Sequence, residues 1–236
     1  MRLLLLDIDG TIVGVGSELG KLHHMAFIEG FRDVYGLDAR YGTADYSGRT
    51  DMFIVDDILR KNGFDEEEID AKRGRMFMAM ERHFRDGVAG GGHYGDSMIS
   101  GAAEALGMLS RDGGNALGLL TGNIEPIALM KMEALGIRHY FRFGGYGDSS
   151  ERRSDLIGIA IDNALRAGVA RNVGMRQVYV VGDTRHDIEC AREKGAVAVA
   201  VATGTFSKED LVAYAPEYLL GGLSELESAI GADGVA

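Results

Sequence analysis

Two aspartates stand two positions apart in the run Asp7-Ile8-Asp9-Gly10-Thr11, directly after four consecutive leucines. If the extended backbone continues through them, period-two alternation puts both carboxylates on one side. Close carboxylates suit divided roles, one ionised and one protonated, because their mutual repulsion separates their pKa values. An ionised Asp7 could attack phosphorus while Asp9 gives a proton to the leaving oxygen, and Gly10 permits a sharp turn. Taken alone, the same run reads equally as an Asp-Gly turn after a strand.

Three further elements carry reactive groups. The run Leu119-Leu120-Thr121-Gly122-Asn123 precedes a helix with Pro126 in its first turn. A hydroxyl and free backbone N–H groups at a helix N-terminus form a phosphate cradle; the plainer alternative is that Thr121 or Asn123 caps the helix. The run Val180-Val181-Gly182-Asp183-Thr184-Arg185-His186-Asp187 places two more acids four residues apart. Carboxylate oxygens are what Mg2+ prefers, although Asp187 could simply favour a helix N-terminus. Arg152 and Arg153 lie just before a helix starting near Asp155. One of them could stabilise a nucleophile and a phosphate, where adjacent arginines otherwise form a solvated corner.

These groups need a scaffold that brings them together. Apolar runs at 2–6, 117–120, 178–181 and 197–201, each closed by a turn signal, read as buried parallel strands. Helical periodicity lies between them at roughly 102–110, 126–135, 155–167 and 187–194. The alternation predicts an α/β fold with a doubly wound, Rossmann-like parallel sheet. Such sheets bind ligands beyond the carboxyl ends of their strands, where the candidate residues fall. From about 17 to 85 the alternation is replaced by helices alone, near 18–35, 51–62 and 66–85, with glycines on both flanks. The reading is a core of residues 1–15 and 92–236 with an α-helical cap, 16–91, inserted after the first strand.

Composition bounds the function classes. The 236 residues are 46% hydrophobic and 26% charged, with a net charge of -11, ordinary for a globular chain. The acidic balance disfavours nucleic acid or anionic membrane as a partner. Cys190 is the single cysteine, so no internal disulfide forms and nothing calls for an oxidising compartment. The opening leucines are cut short by Asp7, far below signal-peptide or membrane-spanning length. The expectation is a soluble, cytoplasmic monomer or homodimer acting on a small molecule.

Together the start D-I-D-G-T-I, the run L-L-T-G-N, the pre-helix arginine and V-V-G-D-T-R-H-D resemble the haloacid dehalogenase (HAD) superfamily of phosphatases. Their order and the position of the helical insert match too, and V-A-T-G-T-F-S-K-E-D-L brings the phosphoglycolate-phosphatase-like branch nearest. The resemblance implies a Mg2+-dependent phosphatase working through an aspartyl-phosphate on a small monoester, phosphoglycolate or a sugar phosphate. It makes Asp7 the nucleophile and Asp9 the general acid/base. Thr121, with Gly122, Asn123 and Gly10 nearby, would hold the phosphoryl group. Asp183 would bind the metal alongside Asp7 and the Asp9 backbone carbonyl, with Asp187 in support. The superfamily's usual cation is a lysine, often followed by proline; here Arg153 takes that place by its spacing to Leu156.

In the insert, the turn Tyr46-Ser47-Gly48-Arg49-Thr50-Asp51 offers Arg49 to an anionic substrate tail, or else a capped helix start with a solvated arginine. His23 and His24 read as one packed and one solvated residue. Asp9 argues against a dehalogenase or phosphonate hydrolase, neither of which needs an acid there. A phosphomutase would keep all four motifs, and a non-catalytic binding protein would be expected to have lost Asp7, Asp9 or Asp183.

Overall fold

The computed structural model describes residues 1–39, 42 and 46–231. Six parallel strands, β1 (Arg2–Leu6), β2 (Asn115–Leu120), β3 (Gly144–Gly145), β4 (Val178–Gly182), β5 (Val197–Val201) and β6 (Tyr218–Leu220), form one sheet in the order β3-β2-β1-β4-β5-β6. The chain winds outward from β1 to β3, returns to β4 beside β1, and then winds the other way. That reversal opens a crevice beyond the carboxyl ends of β1 and β4. Leu3 to Leu6 pair with Val178 to Val181 in register, and the Asp7 N–H extends the ladder to the Val181 carbonyl at 2.9 Å. Asp7 and the segment holding Asp183 are therefore neighbours by sheet register.

The leucines of β1 alternate between two cores. Leu4 and Leu6 join Leu106, Leu109, Ile127, Leu226 and Ile230, from helices α4 (Ala102–Arg111), α5 (Glu125–Ala134) and α9 (Leu226–Gly231) and their flanks. Leu3 and Leu5 join Leu156, Ile157, Ile188 and Leu211 from α6 (Arg153–Arg166), α7 (Arg185–Lys194) and α8 (Lys208–Val212). Being covered on both faces explains why β1 is uniformly apolar rather than alternating.

Between β1 and α4 the described residues form three long helices, α1 (Glu18–Tyr35), α2 (Asp51–Lys61) and α3 (Glu66–Ala89). Ser17, Thr50 and Asp65 cap their N-termini by accepting from Gly20, Phe53 and Glu68 N–H groups, the role these residue types fill best. Phe27 and Phe31 of α1 and Met76, Met80 and Phe84 of α3 are buried together. Among the described residues, no helix is long and apolar enough to cross a membrane.

The strands at 117–120, 178–181 and 197–201 and the four expected core helices are present within a few residues. β3 and β6 were not expected. A two-residue strand of glycine has no hydrophobic pattern, and the three residues of β6 are too few to show one.

Candidate active site

β1 ends at Leu6, and the chain then turns at once: Thr11, Ile12 and Val13 all donate to the Ile8 carbonyl. The extended conformation assumed from the sequence stops there, so strand alternation does not orient Asp9. Gly10 holds φ +87°, and a Cβ there would sit 2.2 Å from Asp183 Oδ2. The turn thus needs glycine for its conformation and for the close approach of Asp183. Thr203 Oγ1 donates to the Gly10 carbonyl at 2.6 Å, tying the loop after β5 to the same turn.

Asp7, Asp183 and Asp187 are all buried, each offering a carboxylate oxygen within 4.8 Å of the others. Arg153, the first residue of α6, is buried against them: its Nη2 is 2.9 Å from Asp7 Oδ1 and donates to Asp187 Oδ1 at 2.6 Å and to the Leu120 carbonyl at 3.2 Å. Arg152 points outward to pair with Glu193. Of the two adjacent arginines, Arg153 is the one facing Asp7. Asp187 Oδ2 accepts from the backbone N–H and hydroxyl of Thr184. With both oxygens engaged, Asp187 orients Arg153 and the Thr184 turn, whereas Asp183 Oδ1 accepts from the Thr11 hydroxyl at 3.4 Å.

Thr121 is fully buried at the end of β2, where its hydroxyl accepts from the Asn123 N–H at 3.3 Å. Neither Thr121 nor Asn123 caps α5; the N-cap is Ile124, without a side-chain bond of its own. Asn123 instead donates through Nδ2 to Asp9 Oδ2 at 2.8 Å. Gly122 lies under the turn before α2, where a Cβ would come 2.1 Å from the Arg49 carbonyl oxygen. The Arg49 guanidinium is exposed and lies over the Phe53 ring at 4.6 Å, so it is not brought to Asp7.

The residue that sequence reasoning missed is Lys131. Its side chain has 0% exposure, and Nζ donates to both oxygens of Asp9 at 2.7 Å. The signal was available in α5, where Lys131 shares the buried face with Ile127, Ala128 and Met132. A lysine on the apolar face of a helix demands a partner. His23 and Asp51 extend the contact. His23, buried as one of the two expected fates for His23 and His24, lies 3.3 Å from Lys131 Nζ through Nδ1 and 3.0 Å from Asp51 Oδ2 through Nε2.

These surroundings divide the two opening carboxylates, in the opposite sense to that expected. Burial raises Asp7 from 3.8 to about 6; Arg153 pulls it back, while Asp187 and Asp9 add to the rise. Asp183 is raised well above its ordinary value, by burial and then by Asp7 and Asp187. Burial also opposes ionisation of Asp9, but the Lys131 ammonium, with the hydrogen bonds from Lys131 and Asn123, outweighs it and holds Asp9 below its ordinary value. The reason is distribution of charge: three buried acids share one arginine at Asp7, whereas Asp9 has a lysine to itself.

A family model described as HAD-hydrolase-like matches residues 158–226. The phosphoglycolate phosphatase of Shigella boydii serotype 4 is 25% identical over 236 residues, 95% of this chain and 90% of that one. These likenesses are to the haloacid dehalogenase superfamily. Phosphoglycolate phosphatase of Escherichia coli (strain K12) is 28% identical over 137 residues, 58% of this chain and 52% of that protein, so this alignment spans about half the relative's length. A solved structure of a CbbY mutant from Rhodobacter sphaeroides, in complex with xylulose-(1,5)bisphosphate, superposes with TM-score 0.70 at 20% identity over 96% of each chain. At that identity the likeness speaks for the fold.

The likeness to the superfamily implies a divalent cation, and the residues present fit one. Asp7 and Asp183 are hard oxygen donors, close together and buried, and burial first and repulsion from neighbouring acids second raise the proton affinity of both. Such a pair is what a hard cation relieves. The Asp9 carboxylate is committed to Lys131 and Asn123, which leaves only its backbone carbonyl for that purpose.

Proposed function

We propose that the chain is a magnesium-dependent phosphatase that hydrolyses a small phosphate monoester through an aspartyl-phosphate on Asp7, with phosphoglycolate or a sugar phosphate as the substrate class. The observation that carries the reading is Asp7 set between a paired arginine, 2.9 Å away, and Asp183, an acid with no ion-pair partner among the described residues. Magnesium held by Asp7, Asp183 and the Asp9 carbonyl would neutralise phosphoryl charge and keep Asp7 ionised. Asp7 attacks phosphorus as the ester P–O bond breaks; Asp9, which Lys131 holds ionised in the resting site, takes up a proton before passing it to the leaving oxygen. Asp9, now ionised, takes a proton from the water that hydrolyses the Asp7 ester. Arg153, the Thr121 hydroxyl and backbone N–H groups of 121–123 neutralise the equatorial oxygens. Residues 16–91 act as a cap over a core of 1–15 and 92–236, excluding water from the reaction. Arg49, at the edge of that cap, would meet the anionic tail of the substrate.

The test is a phosphate-release screen across phosphorylated metabolites, run with Mg2+ and again with chelator. Release that depends on Mg2+ in the wild type and is lost in a folded Asp7→Asn variant is the expected result. Substrate binding without release would count against catalysis, and transfer of phosphate to a second sugar hydroxyl would indicate a mutase.

A further inference from the structure

An open hollow of about 750 Å3 lies where α5 and α6 come to an end, away from the catalytic groups. It is lined by Glu133 and Gly136 at the end of α5, by Arg138, His139 and Arg142 from the segment leading into β3, and by Ala167 after α6. Both helices start beside the crevice: α5 follows Thr121 to Asn123, and the first residue of α6 is Arg153. At a rise of about 1.5 Å per residue, the hollow is about 20 Å along α6 from the Arg153–Asp7 pair.

In a chain of net charge -11, many basic residues are answered by acids close by, among them Arg32, Arg60, Arg73 and Arg82. Arg138 and Arg142 are not. Neither has an ion-pair partner among the described residues, and Glu133 on the rim pairs with neither. The plain explanation would be that they neutralise the carbonyl ends of the two helices. Those carbonyls are already engaged by the chain's own N–H groups. Leu135, Gly136 and Ile137 donate to Lys131, Glu133 and Met132, and Ala167, Gly168 and Val169 donate to Asn163, Leu165 and Ala164. Arg138 Nη1 donates instead to the Phe141 carbonyl. That bond anchors a half-buried guanidinium and leaves Nε and Nη2 uncommitted, the edge that grips an oxyanion bidentately. Arg142 is exposed, and two guanidiniums on one hollow repel each other until an anion lies between them. The His139 ring rests 4.1 Å, centroid to centroid, from that of Tyr140, which restrains a third donor beside them.

We propose that this hollow is a second ligand site, separate from Asp7, which binds clustered phosphate oxyanions: the diphosphate of a nucleotide or inorganic pyrophosphate. Its volume is that of a small-molecule site, and its donors are those that recognise phosphate. The inference goes beyond the phosphatase reading and does not depend on it.

Isothermal titration calorimetry with inorganic pyrophosphate, and separately with ADP, tests the site. Chelator is present throughout, so that the acids around Asp7 repel anions rather than recruit them through a metal. Wild type should bind pyrophosphate. Arg138→Gln and Arg142→Gln should each weaken binding about tenfold or more, the loss of charge-assisted bonds. Arg75→Gln, which removes the same charge from an exposed position on α3, should leave it within about twofold. Thr121→Val, in the crevice, should leave it unchanged. ADP binding more tightly than pyrophosphate identifies a nucleotide as the occupant, and pyrophosphate binding at least as tightly identifies the bare anion; either result carries the proposal. No binding of either probe by wild type, affinity unchanged in both arginine variants, or loss of binding in Thr121→Val would overturn it. If Arg138→Gln does not fold, Arg142→Gln, on the surface, carries the test. A wild type that releases phosphate from no ester would sink the phosphatase reading and leave this site standing.

Discussion

Replacing the nucleophile candidate should stabilise the protein. In the cation-free state Asp7 is raised from 3.8 to about 6, chiefly by burial. Each tenfold in proton affinity is worth about 1.4 kcal/mol, so keeping Asp7 ionised in the fold at neutral pH costs about 3 kcal/mol. Because the folded pKa lies above the unfolded one, this group's contribution is fully favourable below 3.8 and is lost as pH rises towards about 6. Asp7→Asn removes the cost and relieves Asp183, for which Asp7 is the largest charge cause of its rise. In urea denaturation with chelator, Asp7→Asn should be more stable than wild type by up to about 3 kcal/mol near pH 7.5, the gain nearly vanishing by about pH 4. In thermal melts that is roughly 6–12 °C for a chain of this length. Saturating Mg2+ should narrow the gap by stabilising the wild type more than the variant. A variant no more stable than wild type at neutral pH, or a difference independent of pH, would refute the electrostatic account of the site.

Two more substitutions probe its supports. Arg153→Met strands Asp7 and Asp187 as buried acids and should cost about 3–5 kcal/mol by denaturant unfolding; adding Asp187→Asn should restore part of that loss. Gly122→Ala drives a methyl to 2.1 Å from the Arg49 carbonyl. It should cost about 1–3 kcal/mol and, by pushing the Arg49–Asp51 turn away, raise KM more than it lowers stability, as steady-state kinetics would show.

Much of this was legible in the chain itself. Hydrophobic runs ending in Asp7, Thr121 and Asp183 identify parallel strands with reactive groups at their carboxyl ends, because a strand buried on both faces must be apolar until it emerges at the sheet edge. The helices between β1 and α4 were legible for the same reason of periodicity, and the order of motifs pointed to the superfamily. What the tertiary structure decided was pairing. Nothing local distinguishes Arg152 from Arg153; only the start of α6 turns one to Glu193 and the other to Asp7 and Asp187. Likewise Asp7 and Asp9 are the same residue type two positions apart, and their different proton affinities come from partners far along the chain, Asp183 and Lys131. A carboxylate's identity and neighbours in sequence set what it can do, but its charge state depends on distances of a few ångströms to groups that only folding brings near.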